Sequence, residues 1–279
     1  YWFKTPQKYW LNKKNISPKE IFIHHPDEEY VSNLQKSQLI TQIIQELEID
    51  NHNVIDDIKN LNINAQLVEN GIIMPKNSIF IKEKEIKDLL ESLSKSLSQH
   101  NKINRIYVKS NANKEEYFIA DDTVIQLIHS KLSLSRLKEA WIKSLFISSL
   151  KKNIKKTEVI FRKENNYKSQ IIESPGLIES NLILEEYINL FKNYSEKCFP
   201  LPPESTYKYV EAKIKSKNEK KAFTNRWIGN KSFSKGERDN FEMKLCFGNE
   251  KEPDFFLGNK NFNTLSFRLY GPLVKALKE

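Results

Sequence analysis

Apolar residues recur along the chain at two different periods, and the switches between them mark out the elements. Leu39, Ile40, Ile43, Ile44 and Leu47 fall on one stripe at helical spacing, and Ser32-Asn33-Leu34-Gln35 has the spacing of a capping box at the start of it. A second helix is expected over Val54 to Val68, stopped by Glu69-Asn70-Gly71, with Ile72-Ile73-Met74-Pro75 leading out in extended chain. Ile86, Leu89, Leu90, Leu93 and Leu97 mark an amphipathic helix. The pattern then turns to short β-rich runs: Ile103 to Val108, Tyr117 to Ile119 and Val124 to Ile128. They are separated by Asn111-Ala112-Asn113 and Asp121-Asp122, residues suited to turns.

Helical spacing returns with Leu134, Leu137, Trp141, Leu145 and Phe146. Thr157 to Phe161 reads as a fourth strand, and Asn165-Asn166 would turn it into a hairpin with Tyr167 to Ile172. Beyond Pro175-Gly176, Ile183, Tyr187, Leu190 and Tyr194 share one stripe of a helix. Phe199-Pro-Leu-Pro-Pro203 ends it, since these prolines cannot continue a helix interior. The lysine-rich stretch to Arg226 reads as solvated helix, and the chain closes with Phe262, Leu265 and Leu269-Tyr-Gly-Pro-Leu273. At the other end Tyr1, Trp2, Phe3, Tyr9 and Trp10 surround Pro6, a residue suited to the first turn of a short helix, and five such rings read as a packed anchor.

Helix, three strands, helix, strand is the element order of a PD-(D/E)xK nuclease core. The expected fold is therefore mixed α/β: a PD-(D/E)xK nuclease-like core over 84–175 with a mixed central sheet flanked by helices, preceded by a helical part over 1–83 and followed by another over 176–279. With no internal repeat and no low-complexity linker, one compact unit with helical additions is expected. The first residue is Tyr1, with no initiator methionine, which predicts a piece excised from a longer protein.

Charge adds a second layer. The 279 residues carry 45 Lys and Arg against 36 Asp and Glu, a formal net charge of +9. The surplus gathers in two stretches. One holds Lys143, Lys151, Lys152, Lys155, Lys156, Arg162, Lys163 and Lys168; the other holds Lys208, Lys213, Lys215, Lys217, Lys220, Lys221 and Arg226. Clusters of this kind attract phosphates through counterion release whatever the base sequence, and Lys151, Lys152, Lys155, Lys156, Arg162 and Lys163 are the candidate DNA-binding residues. The competing reading is an ordinary solvated face. No apolar run approaches the roughly 18 residues of a membrane span. The two cysteines, Cys198 and Cys246, lie far apart in no C-x-x-C pair, which points away from a disulfide scaffold or zinc site and toward a reducing cytoplasm.

Candidate catalytic chemistry is thin. A nuclease of this kind holds Mg²⁺ with an acid at the end of the second strand and an acid on the third, followed two residues later by Lys. Asp121 or Asp122 could supply the first acid, though both also read as turn residues. The third strand offers Gln126 and then His129-Ser130-Lys131; Gln126 lacks the charge, and His129 suits softer metals. His24-His25 invites a metal reading, but neighbours in extended chain point to opposite faces. Glycine-rich phosphate loops and G-x-S-x-G are absent, so no catalytic residue, metal or cofactor is assigned.

An ordered series of motifs points further. Phe199-Pro-Leu-Pro-Pro203, Ala222 with Trp227 and Gly229, Gly236-Glu237-Arg238-Asp239 and Leu269-Tyr-Gly-Pro-Leu273 follow one another through the second half. Phe3-Lys-Thr-Pro6 with Tyr9-Trp-Leu11, Asn70-Gly-Ile-Ile-Met-Pro75 and Trp141-Ile142 stand in the first. Together they resemble the carboxy-terminal domain of the exodeoxyribonuclease V gamma subunit, the RecC family. The resemblance implies a nuclease-like fold with a degenerate active site. It further implies a heterotrimer with a helicase-nuclease beta subunit and an alpha helicase subunit, double-stranded DNA ends and separated single strands as ligands, and recombinational repair of double-strand breaks. The domain would guide DNA and dock subunits, with Trp227 and Tyr270 at a partner interface or in the core. An active metal-dependent nuclease and a pure protein-interaction scaffold are the competing expectations.

Overall fold

A computed structural model describes residues 1–16, 33–46, 62–63, 65, 69, 76–100, 102–109, 114–151, 153–230, 234–248 and 251–278. Its contacts form two compact units that interleave along the chain. The first comprises Tyr1–Ile21, Leu134–Lys152 and Ser174–Leu277; the second comprises Phe22–Ser133, Asn153–Glu173 and Lys278–Glu279. The parts drawn from sequence, with boundaries at 83 and 175, are successive, whereas these units are built from separated segments.

The second unit is a five-strand mixed sheet with helical cover. Among the described residues its long helices are α2 (Asn33–Glu46) and α3 (Lys76–Leu97), and its strands are β1 (Asn104–Lys109), β2 (Lys114–Ala120), β3 (Thr123–Ile128), β4 (Lys156–Lys163) and β5 (Asn166–Glu173). The spatial order is β1-β2-β3-β4-β5. All neighbours are antiparallel except β3 and β4, which run parallel. A parallel pair needs a long connection; here the chain leaves for the first unit, forms α4 (Leu134–Leu150) there and returns.

The apolar stripes read from sequence bury themselves as expected. Leu39, Ile40, Ile43 and Ile44 of α2 join Ile86, Leu89, Leu90, Leu93 and Leu97 of α3 in one core with Ile125, Ile160 and Tyr167 of the sheet. Each such side chain contributes roughly 1.5–3 kcal/mol on leaving water. Leu47, most of the helix expected over Val54 to Val68, the Asn70 to Pro75 segment, His24-His25 and the Asn111 turn lie outside the described residues. The strand turns differ slightly from expectation. Asp121 takes a left-handed conformation (φ 51°), as expected of a turn residue. The β4–β5 hairpin turns at Glu164-Asn165 rather than Asn165-Asn166, with Glu164 left-handed at φ 57° and Lys163 paired to Asn166.

The first unit is mainly helical: α1 (Pro6–Lys13), α4, α5 (Leu177–Tyr194), α6 (Pro203–Ile214), α7 (Glu219–Ile228), α8 (Phe241–Phe247), α9 (Pro253–Leu257) and α10 (Phe262–Ala276), with a two-strand ribbon of β6 (Gly229–Asn230) and β7 (Ser234–Lys235). Three helices are tied by one polar chain: Trp141 Nε1 donates to the Tyr187 hydroxyl at 3.0 Å, and that hydroxyl donates to the Leu269 carbonyl at 3.1 Å. Pro203 stands at the first turn of α6, where its missing N–H costs nothing. The lysine-rich stretch forms two helices, broken where Ser216 turns left-handed (φ 53°) and Asn218 caps α7 by accepting from the Lys221 N–H at 2.9 Å. The terminal Leu269 to Leu273 motif is helical, with Gly271 and Pro272 inside α10. Among the described residues no helix is long and apolar enough to cross a membrane.

Candidate nucleic-acid interface

The basic residues singled out from sequence do not form one patch. Lys155 and Lys156 stand at the start of β4 and Arg162 and Lys163 at its end. Lys163 lies seven residues along the strand from Lys156, about 23 Å at roughly 3.3 Å per residue. Lys155 is spent in part on Asp122, with Nζ 3.0 Å from the carboxylate. Lys151 is exposed but belongs to the first unit, and Lys152 lies outside the described residues. Arg162 is only 8 % exposed and stands opposite Tyr167, on the strand face that carries buried Ile160. Its guanidinium is therefore held against the core of the unit rather than presented to solvent.

What the hairpin does present is a lysine pair. Phe161 faces Lys168 across the ladder and Lys163 faces Asn166, so Lys163 and Lys168 are diagonal neighbours on one face, both exposed. Sequence reasoning placed Lys168 in the basic run without singling it out; the register brings it beside Lys163.

The positions where a nuclease would gather its metal ligands are dispersed. Asp122 sits in the β2–β3 turn, accepts from the Thr123 hydroxyl at 3.2 Å and pairs with Lys155, and those contacts hold its carboxyl below the usual range. His129 lies past the opposite end of β3, seven residues away, again about 23 Å in extended chain. There its Nδ1 meets the Tyr167 hydroxyl at 2.8 Å, and burial together with the Arg162 charge lowers its pKa to about 4, so the ring is neutral. Gln126 alternates with Ile125 and Leu127 and so points to the other face of the sheet from the core they join. Glu158, on β4 opposite Ile125, is nearly buried and bonds His100 at 3.1 Å, a contact that lowers its pKa. Among the described residues no three His, Cys, Asp or Glu side chains gather in a way that could hold a metal ion.

In the first unit the second basic stretch is largely engaged in its own pairs. Lys208 Nζ lies 2.5 Å from Glu211 and Lys215 Nζ 3.5 Å from the same carboxylate, Lys213 bonds Asn263, and Arg226 pairs with Glu204. Trp227 and Tyr270 are both fully buried. Trp227 packs edge-on against Phe256 with ring centres 4.9 Å apart and donates to the Lys251 carbonyl at 2.7 Å. Tyr270 packs edge-on against Tyr207. Both rings pack at home, so neither presents a surface to a partner.

The first unit also holds a polar cavity that sequence reasoning missed. Lys138 is fully buried on α4, and Gln7 is 1 % exposed on α1. The signal for Lys138 was present: it falls on the stripe of Leu134, Trp141 and Leu145, where an aliphatic residue is expected. Beside them, Glu237 is placed by Gly236, whose Cβ would come within 2.3 Å of the Trp227 carbonyl, so only glycine fits. Cys198 and Cys246, distant in sequence, are both free and half-buried; Cys198 Sγ donates to the Phe199 carbonyl at 3.9 Å, and the neighbouring Cys246 thiol lowers the Cys198 pKa. The sequence matches no family model and no curated protein.

Proposed function

We propose that this chain is the nuclease-like carboxy-terminal domain of an exodeoxyribonuclease V gamma subunit of the RecC family, guiding DNA and docking subunits without cutting. In this reading the five-strand sheet is a PD-(D/E)xK-type core turned into a platform. The observation that carries it is the pairing of a nuclease-like element order with dispersed acids. The helix, three antiparallel strands, crossover and parallel strand are all present. Asp122 is engaged by Lys155, Glu158 by His100, and His129 by Tyr167.

Contact with DNA falls to the hairpin tip, where Lys163 and Lys168 stand side by side and exposed. Two exposed lysines on a hairpin meet phosphates as point charges and carry no base readout. The partners are the helicase-nuclease and helicase subunits of a cytoplasmic complex acting on double-stranded ends.

The test is the salt dependence of duplex-end binding by the assembled complex, with Lys163→Ala plus Lys168→Ala compared against wild type. Each lost phosphate contact lowers the slope of log K against log salt by about 0.9. Cleavage of duplex ends by this chain alone with Mg²⁺, abolished by Asp121→Ala plus Asp122→Ala, would establish the active-nuclease alternative instead.

A further inference from the structure

Helix α5 of the first unit is apolar on two sides. Ser180, Ile183, Tyr187 and Leu190 are buried and face the core. The other side carries Ile178, Leu182 and Ile188, which are 75 %, 60 % and 52 % exposed. A surface helix ordinarily presents polar residues opposite its buried stripe. A single exposed apolar residue needs no explanation, but Ile178 and Leu182 are neighbours four apart, and Ile188 extends the strip toward the C-terminal end of the helix. Acidic residues border this strip. Glu179 and Glu185 stand three residues to either side of Leu182, and both are exposed. Glu186 pairs with Arg268, whereas Glu179 and Glu185 take part in no ion pair among the described residues. The only basic residue of the helix is Lys192, in its last turn.

We propose that this face of α5 docks an amphipathic helix of a partner protein, one whose apolar stripe is flanked by lysine or arginine. The apolar strip supplies the contact and the two unpaired carboxylates supply the selection. The chain as a whole carries a formal charge of +9, so the acidic strip runs against its overall balance. An acidic helix would set carboxylate against carboxylate, and a wholly apolar one would leave Glu179 and Glu185 at the rim of the contact without counter-charges. A second copy of the chain fits less well. An antiparallel pairing of two α5 helices that matches Ile178 with Ile188 sets Lys192 opposite position 174, before the helix begins, so neither carboxylate meets a base. The proposal is independent of the DNA-guiding role: its test contains neither DNA nor other subunits, so either can fail alone.

Fluorescence anisotropy of the full chain with two labelled peptides tests the proposal. Both peptides are helical, equal in length and share one leucine stripe; lysines flank the stripe in one and glutamates in the other. The lysine peptide should bind about tenfold more tightly, although the overall charge of the chain favours the glutamate peptide. Leu182→Ser, at an exposed position outside the core, should weaken the lysine peptide about tenfold. Glu179→Lys plus Glu185→Lys should reverse the preference between the peptides. Binding of the glutamate peptide to the wild-type chain at least as tightly, binding of neither peptide, or binding untouched by these substitutions would overturn the proposal. So would a dimer in sedimentation equilibrium that Leu182→Ser dissociates, which would assign the face to a second copy of the chain.

Discussion

The Glu237 carboxylate caps helix α6 from outside it, accepting from the Ser205 N–H and hydroxyl, each at 2.6 Å, and from the Glu204 N–H at 2.8 Å. The helix begins after Pro202, which has no side-chain acceptor of its own. Its first N–H groups would otherwise be buried without partners. Glu237→Ala should therefore cost about 3 kcal/mol, the scale for removing a charged acceptor from buried donors. All four tryptophans (Trp2, Trp10, Trp141 and Trp227) belong to the first unit, so denaturant unfolding followed by tryptophan fluorescence reads this loss directly. A change under about 0.5 kcal/mol, the size of an ordinary surface substitution, would refute the capping role.

Lys138 and Glu237 give the first unit an unusual pH response. Burial lowers the Lys138 pKa from 10.5 to about 7, against the opposing pull of Glu237. Between those values the unfolded chain holds a proton that the folded chain lacks, so stability rises with pH from about 7 to 10.5. Burial raises the Glu237 carboxyl from 4.5 to about 7, against its bonds from Ser205. There the folded chain holds the extra proton, so stability falls as pH rises from about 4.5 to 7. Together the two groups contribute a stability minimum near pH 7. Lys138→Met should remove the alkaline rise, with its advantage over wild type shrinking as pH climbs from 7 to 10. Parallel stability curves for the two proteins would contradict this.

The second unit responds to acid through His129. Its folded pKa of about 4 lies below the ordinary 6.5, so the stability gained by keeping it neutral is present above 6.5 and lost as pH falls toward 4. His129→Gln should flatten that limb. Tyr167→Phe, which removes the hydroxyl at His129 Nδ1, should cost about 1 kcal/mol. Hydrogen exchange of β3 and β5 amides between pH 4 and 7 separates these effects from those in the first unit.

The two thiols offer a chemical check. The neighbouring Cys246 thiol lowers the Cys198 pKa, making Cys198 the better thiolate. With oxidised glutathione as oxidant, the pair should give up two protons and two electrons and close to an intramolecular disulfide. Non-reducing peptide mapping should find the Cys198–Cys246 link and lose it in Cys246→Ser. Separate glutathione adducts on each cysteine, with no cross-link, would show that the pair cannot close.

Much of the fold was legible because periodicity reports burial. The stripes Leu39 to Ile44 and Ile86 to Leu97, the five strands and the β4–β5 hairpin all follow from it, with ends shifted by a residue or a few. The interleaving of two units was not legible, since nothing local distinguishes α4 from a helix that stays with its flanking strands. Charge clustering misled for a related reason: linear proximity groups Lys155 with Lys163, but an extended strand sets them far apart, and strand alternation turns Arg162 inward beside exposed Lys163. Trp227 and Tyr270 were legible as important aromatics, while their role in packing needed three dimensions. Lys138 and Gln7 escaped because a polar residue on an apolar stripe was not weighed as a signal.

The central claim is that this sheet handles DNA without cutting it, and the most direct measurement is duplex-end binding by the assembled complex across a salt series. The account predicts that Lys163→Ala plus Lys168→Ala weakens binding and lowers the salt slope by about 2, one phosphate contact for each lysine. It also predicts that Lys155→Ala plus Lys156→Ala, at the far end of β4, has a smaller effect. An unchanged slope in the hairpin variant, or Mg²⁺-dependent cleavage by this chain alone that requires Asp121 and Asp122, would contradict it.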